Sequence, residues 1–427
     1  MKENLLRTNR LRLIELRSPL SMTVCRMAAI IAAAIFLQAF LILGVPAQSS
    51  ENGRGTDEFG AVYRQKGRIK ERNGKETQLP VAADPDAITV ETNLVLNVVT
   101  VLDKDGVVVK GLSKDDFIVT EDGGQQQLEL VHPGDSTVVP RSIVLLIDYS
   151  GSQLPYIENS IEAAKILVDQ INPNDRMAIV TDNIELLQNF TGDKDLLKEK
   201  LENLKRSALK GKFGLSRQYS ALMSVMQELF TASDSRPIVI FQTDGDELFD
   251  LKQTKKGEFK MSGKSGFSFS DIERLTQTTR STIYAITPGQ RIGNLTTEEK
   301  ERHAQNFLIQ GEEAYAKALN TKINSRRLLI IDASVKAFAR YFEEQQMAVE
   351  TLAKSTGGWT EYVEDPASAR IAYDRIMRSI NSGYVLGYYP SDESRGPRTR
   401  KISVIVRGHP EYKVVGRDSY ILDPRSK

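Results

Sequence analysis

Oxygen-bearing side chains follow the apolar segment "SIVLLI" at every second position. They are Asp148, Ser150 and Ser152, within "DYSGS". Another acid, Asp244, follows the apolar segment "PIVIFQT". Carboxylates and hydroxyls, without thiolate or imidazole, suit a hard divalent cation such as Mg²⁺, which prefers about six oxygen ligands. The pattern therefore indicates a metal site, provided that the fold brings the two segments together.

The elements around these residues predict such a fold. From Arg141 to about Tyr389, short apolar runs alternate with amphipathic helical patterns. This alternation is typical of a largely parallel sheet covered by helices on both faces. In an open sheet of this kind, ligands bind beyond the carboxyl ends of the strands, where the strand order reverses. We therefore expect Asp148 and Asp244 to emerge on the same edge.

Two other interpretations of "DYSGS" stay open. Aspartate and serine commonly cap helices, and this segment directly precedes a helical pattern. Alternatively, Ser150 or Ser152 could be a nucleophile with Asp148 as its base. The nucleophile motif G-x-S-x-G is absent around these serines, and no histidine lies near them in the sequence, which makes a hydrolase the weaker hypothesis.

The motifs also resemble those of a known family. D-x-S-x-S at 148–152, with T-D-G at 243–245, is similar to the metal-ion-dependent adhesion site (MIDAS) of von Willebrand factor A (VWA) domains. "GLSRQYSAL", residues 214–222, resembles the family's G-x-T-x-x-Y-x-A-L, with Ser216 at the threonine position.

The resemblance implies a doubly wound sheet of about six strands with one antiparallel edge, and a protein that is not an enzyme. It implies Mg²⁺, or Mn²⁺ or Ca²⁺, held directly by three hydroxyls and mainly through water by two acids. It also implies an open coordination position that a protein partner fills with a carboxylate. The implied metal ligands are Asp148, Ser150, Ser152, Ser216 and Asp244. A scaffold that works without metal is the alternative.

The regions on either side of the α/β unit have the alternating pattern of β-strands. Residues 90–123 and 382–406 resemble the ends of the exported VWFA-related proteins of acidobacteria. We assign residues 88–140 to a β-rich domain and residues 391–427 to a C-terminal β segment. We expect them to pair in one β-sandwich that flanks a VWA domain at 141–390. Within that domain, residues 296–355 form a predicted helical insertion, which would either cover the sheet or bind a partner.

The N-terminus predicts export. Basic residues precede the apolar stretch "MAAIIAAAIFLQAFLILGV", and "VPAQSS" offers small residues for cleavage after Ala47. Residues 1–47 therefore form a signal peptide. Alternatively, they form a membrane anchor, because the run approaches the roughly 20 residues that span a bilayer. Residues 48–87 are polar and predict a flexible linker. The expected location is periplasmic, cell-envelope or secreted.

The composition argues against two further classes of function, nucleic-acid binding and cysteine chemistry. The formal net charge is +1, so the chain has no basic excess with which to bind nucleic acid. Its one cysteine, Cys25, lies in the predicted signal segment. The exported part would therefore have no disulfide, thiol nucleophile or cysteine metal site.

Overall fold

The computed structural model describes Phe59 and residues 94–422, apart from 135–139, 231–234, 248–249, 262, 264, 324 and 392–397. The predicted signal or anchor at 1–47 and the linker at 48–87, except Phe59, lie outside the described residues. Across the described part of the chain, no helix is both long and apolar enough to cross a membrane.

Six strands form the central sheet. They are β5 (Arg141–Ile147), β6 (Arg176–Thr181), β7 (Glu185–Thr191), β8 (Arg236–Gln242), β11 (Thr282–Pro288) and β12 (Thr360–Val363). Their order is β12-β11-β8-β5-β6-β7, and only the edge strand β7 runs antiparallel to its neighbour. The strand order reverses between β5 and β8, so the switch point lies there. The predicted doubly wound, mostly parallel sheet with one antiparallel edge is confirmed.

Helices cover both faces of this sheet because its strands are apolar on both sides. In β5, Ile143, Leu145 and Ile147 face one core, and Val144 and Leu146 face the other. Seven α-helices lie in the described residues: α1 (Ile157–Asp169), α2 (Lys194–Leu209), α3 (Gln218–Ser224), α4 (Phe269–Thr279), α5 (Thr297–Ala318), α6 (Ser325–Ser355) and α7 (Pro366–Ser382). Helices α1, α2 and α7 pack on the first face, and α3, α4 and the end of α6 on the second.

The flanking β-structure consists of two four-stranded antiparallel sheets, with the orders β15-β1-β13-β4 and β16-β14-β2-β3. Their strands are β1 (Val95–Leu102), β2 (Phe117–Glu121), β3 (Gly124–Gln126), β4 (Leu128–Pro133), β13 (Tyr384–Tyr388), β14 (Arg398–Val406), β15 (Lys413–Gly416) and β16 (Ser419–Leu422). Strand β2 pairs with β14, and β1 with β15. N- and C-terminal segments thus share both sheets and one apolar core, as the fold class predicted.

Strand β13 departs from the expected arrangement. The sequence pattern assigned "GYVLGYYP" to the α/β unit, whereas β13 lies between β1 and β4 in the flanking sheet. The chain therefore enters the α/β unit after β4 and leaves it into β13. These two strands are hydrogen-bonded to each other. A short hairpin of β9 (Leu251–Gln253) and β10 (Phe259–Met261) lies within the α/β unit.

The predicted helical insertion at 296–355 corresponds to α5 and α6. Its second half covers the sheet, since Ala348 and Leu352 of α6 are buried in the core. Helix α5 instead lies beside the turn at Gly151–Gln153. Phe307 of α5 stacks on Tyr156, with ring centroids 6.1 Å apart. The insertion thus reaches the loop that carries the D-x-S-x-S motif.

Candidate metal centre

The switch point of the sheet brings the two predicted acids together. Asp148 follows β5, and its N–H donates to the carbonyl of Gln242 at 3.0 Å, which prolongs the β5–β8 pairing by one residue. Asp244 follows the end of β8 by two residues. Asp148 is only 1% exposed, so its carboxylate lies inside the edge of the sheet and not in solvent.

A chain of hydrogen bonds joins these acids to the two serines of the first loop. The Ser150 N–H donates to Asp148 Oδ1 at 2.9 Å. The hydroxyls of Ser150 and Ser152 lie 3.0 Å apart, and that of Ser152 donates to Asp244 Oδ2 at 2.7 Å. Four of the five predicted site residues therefore belong to one connected polar group.

Ser216 lies near this group but is held there through its backbone. Its φ is +52°, and its backbone N–H donates to Asp182 Oδ2 at 2.8 Å. The Gly214 N–H donates to the Tyr149 carbonyl at 3.2 Å, which sets the loop against the first one. Among the described residues, the Ser216 hydroxyl has no hydrogen-bond partner. The structure thus places this loop at the site without bonding the hydroxyl to the other four residues.

Asp182 ties these two loops together, a role that the sequence did not suggest. Its carboxylate accepts the Tyr149 N–H at 3.1 Å and the Ser216 N–H at 2.8 Å. Asp182 is buried and directly follows β6. Its place after "RMAIVT", at the same edge as Asp148, is the signal that could have identified it.

Gln218, at the start of α3, is a second residue that the sequence interpretation missed. Its Nε2 donates to Asp148 Oδ2 and to Asp244 Oδ1, both at 2.7 Å. The side chain is completely buried. No sequence signal marks it, since glutamine at this position of "GLSRQYSAL" fits an ordinary helix start.

The centre concentrates negative charge away from water. Burial, together with the charges of Asp244 and Asp182, raises the pKa of Asp148 well above its ordinary value. Burial also raises the pKa of Asp182 to about 7, although the N–H groups of Tyr149 and Ser216 oppose that rise. A bound cation would offset this charge.

Comparison with known proteins gives remote matches only. No family model matches the chain, and no curated protein matches it. Its fold is similar to the vWF domain of the type V pili tip protein Mfa5 from Porphyromonas gingivalis, with 12% identity over 58% of this chain and 96% of that one, and a TM-score of 0.33.

Two further solved structures extend this comparison. A von Willebrand factor type A protein from Catenulispora acidiphila is 10% identical over 78% of this chain and 74% of that one, with a TM-score of 0.34. Proximal thread matrix protein 1 from the mussel byssus, whose MIDAS motif holds zinc, is also similar. It is 13% identical over 56% of this chain and 48% of that one, with a TM-score of 0.29. At these values, the comparisons indicate a similar fold and nothing further about this chain.

The chain has a doubly wound α/β fold that is similar to that of VWA domains.

The residues at the switch point of this sheet suit a small hard cation. Every predicted ligand atom is an oxygen, and a further buried oxygen lies beside them. Gln153 donates through Nε2 to Asp244 Oδ2 at 3.0 Å, while its buried Oε1 has no hydrogen-bond partner in the described residues. No group of three or more His, Cys, Asp or Glu side chains in that part of the chain could hold a metal. A cation at this switch point would have two carboxylates, Asp148 and Asp244, and hydroxyls would complete its ligands.

Proposed function

We propose that this chain is a VWA domain that binds a protein partner through a divalent cation. The ion would be Mg²⁺, or Mn²⁺ or Ca²⁺, and its open position would take a carboxylate from the partner. One observation carries the proposal: Asp148, Ser150, Ser152 and Asp244 form a connected polar group at the switch point. We place Ser216 with them because its loop lies against theirs.

Hydrogen bonds within the chain orient the candidate ligands of this site. The Ser152 hydroxyl donates to Asp244 and therefore accepts from the Ser150 hydroxyl, which leaves one of its two lone pairs for a cation. Asp148 accepts the Ser150 N–H and thereby fixes the first loop. A bound divalent cation would supply the positive charge that attracts an acidic side chain of the partner. Leu215, 50% exposed beside Ser216, would offer that partner an apolar contact at the edge of the site.

Calorimetric titration of Mg²⁺ into wild type and Asp148→Ala tests the proposal. Wild type should bind the ion and melt at a higher temperature, with about 2.7 kcal/mol of added stability when the ion is at a hundred times Kd. The variant loses one of the two site carboxylates and should lose most of this shift. Asp169→Ala is the matched control, since Asp169 forms a surface ion pair with Lys198. Equal Mg²⁺ affinity in wild type and Asp148→Ala would refute the metal site.

We also propose that the protein acts outside the cytoplasm, on the basis of its N-terminal sequence. Protein isolated from its native host should begin at or near Gln48 and lie in the periplasm, envelope or medium. N-terminal sequencing checks this. An intact Met1 in the membrane fraction would favour the anchor, and an intact Met1 on soluble cytoplasmic protein would contradict export.

A metal-independent scaffold is the second candidate, and one observation favours it. The Gln218 amide donates to both acids, so the chain itself offsets part of their charge. A pull-down from envelope extracts, with Mg²⁺ or with EDTA, separates the two functions. Capture of the same partner under both conditions would support the scaffold. We do not propose a hydrolase, because no histidine in the described residues hydrogen-bonds to Ser150 or Ser152.

A further inference from the structure

The Gln218 side chain uses its full hydrogen-bonding capacity inside the centre. Its Nε2 donates at 2.7 Å to each of Asp148 and Asp244. Its Oε1 accepts the Thr243 hydroxyl and, at 3.2 Å, the Gly245 N–H. A primary amide has two donors and two acceptor lone pairs, so no capacity remains.

This network also fixes the direction in which the amide points. A flipped side chain would set its Nε2 donors against the Gly245 N–H and its oxygen against two carboxylates. Both changes would leave buried polar groups unpaired, which is costly in a protein interior. Gln218 is therefore held in place from the Gly245 side while it faces the acids.

Gln218 differs from the other donors around the centre because it contacts both acids. Ser152 and Gln153 donate to Asp244 alone, and the Ser150 N–H donates to Asp148 alone. Two carboxylates that lie this close in a buried site repel each other. An amide that donates to both offsets the repulsion and fixes how far apart they lie.

We propose that Gln218 is a positioning residue that bridges Asp148 and Asp244 and sets their spacing before a cation arrives. The bridge stabilises the ion-free protein, and this half of the inference stands on the geometry alone. The second half rests on the proposed function: a preset spacing lowers the cost of assembling the ligands, so the cation binds more tightly.

The first experiment measures the bridge in EDTA, where no ion contributes. Thermal unfolding is recorded for wild type, Gln218→Met, Asp148→Asn and the double variant. Gln218→Met should lower Tm in the wild-type background and lower it clearly less beside Asp148→Asn, where the repulsion is gone. An equal shift in both backgrounds would overturn the bridge.

A control glutamine tests whether this coupling is specific to the centre. Gln346 of α6 is also buried, accepts the Ile292 N–H at 2.8 Å and donates to the Gln290 carbonyl at 3.0 Å. Gln346→Met should lower Tm equally with and without Asp148→Asn. If Gln218→Met does not fold, Gln218→Asn provides the same test, since its shorter side chain keeps the amide but cannot reach both acids.

The second experiment titrates Mg²⁺ into the folded variants by calorimetry. Gln218→Met should raise the Mg²⁺ Kd at least tenfold, while Gln346→Met should leave it unchanged. An unchanged or lower Kd in Gln218→Met would refute the positioning role and make Gln218 a competitor of the ion. If wild type itself does not bind Mg²⁺, the proposed function fails, and the EDTA experiment still decides whether the bridge exists.

Discussion

At the scale of single residues, Asp182 is enclosed so tightly that the neighbouring backbone has no room for a side chain. A Cβ atom at Gly214 would lie 2.1 Å from Asp182 Oδ1. We expect Gly214→Ala to displace this carboxylate from the N–H groups of Tyr149 and Ser216. The free energy of unfolding should fall by about 1–3 kcal/mol, as for other overpacked sites. Urea unfolding measures the loss.

Gly311 is the matched control for this substitution. It lies within α5, and a Cβ there would meet no atom within 4 Å. Gly311→Ala should therefore raise stability by about 0.5–1 kcal/mol, since alanine favours the helix. A similar loss of stability in both variants would show that the crowding at Asp182 is not the cause.

Glu247 gives the protein a pH-dependent stability. Its buried carboxylate accepts the Tyr219 N–H at 2.7 Å, the Ser220 N–H at 3.1 Å and the Ser220 hydroxyl. Burial nevertheless raises the pKa of Glu247 from 4.5 to about 8. Between these values the unfolded chain releases a proton that the folded protein keeps. Stability should therefore fall as pH rises from about 4.5 to about 8, by up to about 5 kcal/mol.

Glu247→Gln should flatten this part of the pH profile, because glutamine does not titrate. Urea unfolding at several values between pH 5 and pH 8 gives the slope for wild type and variant. Other titrating groups contribute equally to both, so the difference between the two slopes belongs to Glu247. Parallel profiles would show that Glu247 has an ordinary pKa in the folded protein.

The site could be predicted from the sequence only where its residues follow strand ends. Asp148 and Asp244 follow apolar runs. The carboxyl ends of adjacent parallel strands always lie at the same edge of the sheet, so the two acids had to lie near each other. Asp182 also follows a strand end and could have been included, whereas Gln218 acts through contacts with residues far away in the chain. Gln218 lies 70 positions from Asp148, and nothing in its local pattern encodes that pairing.

At the scale of elements, α5 is held against the first site loop by aromatic contacts. Phe307 stacks on Tyr156 and also packs on Phe342 of α6, with centroids 5.0 Å apart. Phe307→Ala should free α5 locally and raise the hydrogen exchange of its amides. The amides of β5 and β8 should keep their protection, since they lie in the sheet core.

Arg302→Ala is the control for this prediction, because Arg302 is an exposed residue of the same helix. It should leave the exchange of α5 unchanged. Equal protection of α5 in wild type and Phe307→Ala would show that other contacts hold the helix. Loss of protection in β5 as well would show that α5 and the sheet unfold as one unit.

For strand β13, the sequence does not specify which strands it pairs with. The run "GYVLGYY" is apolar throughout, and such a run predicts a buried strand but not its partners. Its neighbours are instead set by the return of the chain from α7, where the Gly134 N–H donates to the Gly383 carbonyl at 2.6 Å. The strand was predicted correctly, and its sheet was not.

At the scale of the whole molecule, deletion of residues 391–427 should disrupt the flanking sheets. The deletion removes β14 from β2 and β15 from β1, which exposes two strand edges and the apolar face around Val119. Residues 94–133 should become sensitive to limited proteolysis. The α/β unit should remain resistant, because its core consists of its own helices and strands together with Phe59, all of which the deletion leaves in place.

Mass spectrometry of the digestion products distinguishes these regions. Early cleavage within 94–133, with a lasting fragment that contains 141–382, is the expected pattern. A truncated protein that resists proteolysis throughout 94–133 would show that the N-terminal segment folds independently. In that case the limits of the predicted domains would have to be redrawn.

The adjacency of β4 and β13 also determines how the molecule would carry mechanical load. The chain enters the α/β unit after β4 and returns through β13, and these strands are paired from Pro133–Tyr384 to Leu128–Tyr388. Tension applied between Leu94 and Leu422 would therefore be borne by the flanking sheets first. The α/β unit lies outside that path as a closed loop, so the loops of the candidate metal centre would keep their shape until the β4–β13 pairing separates.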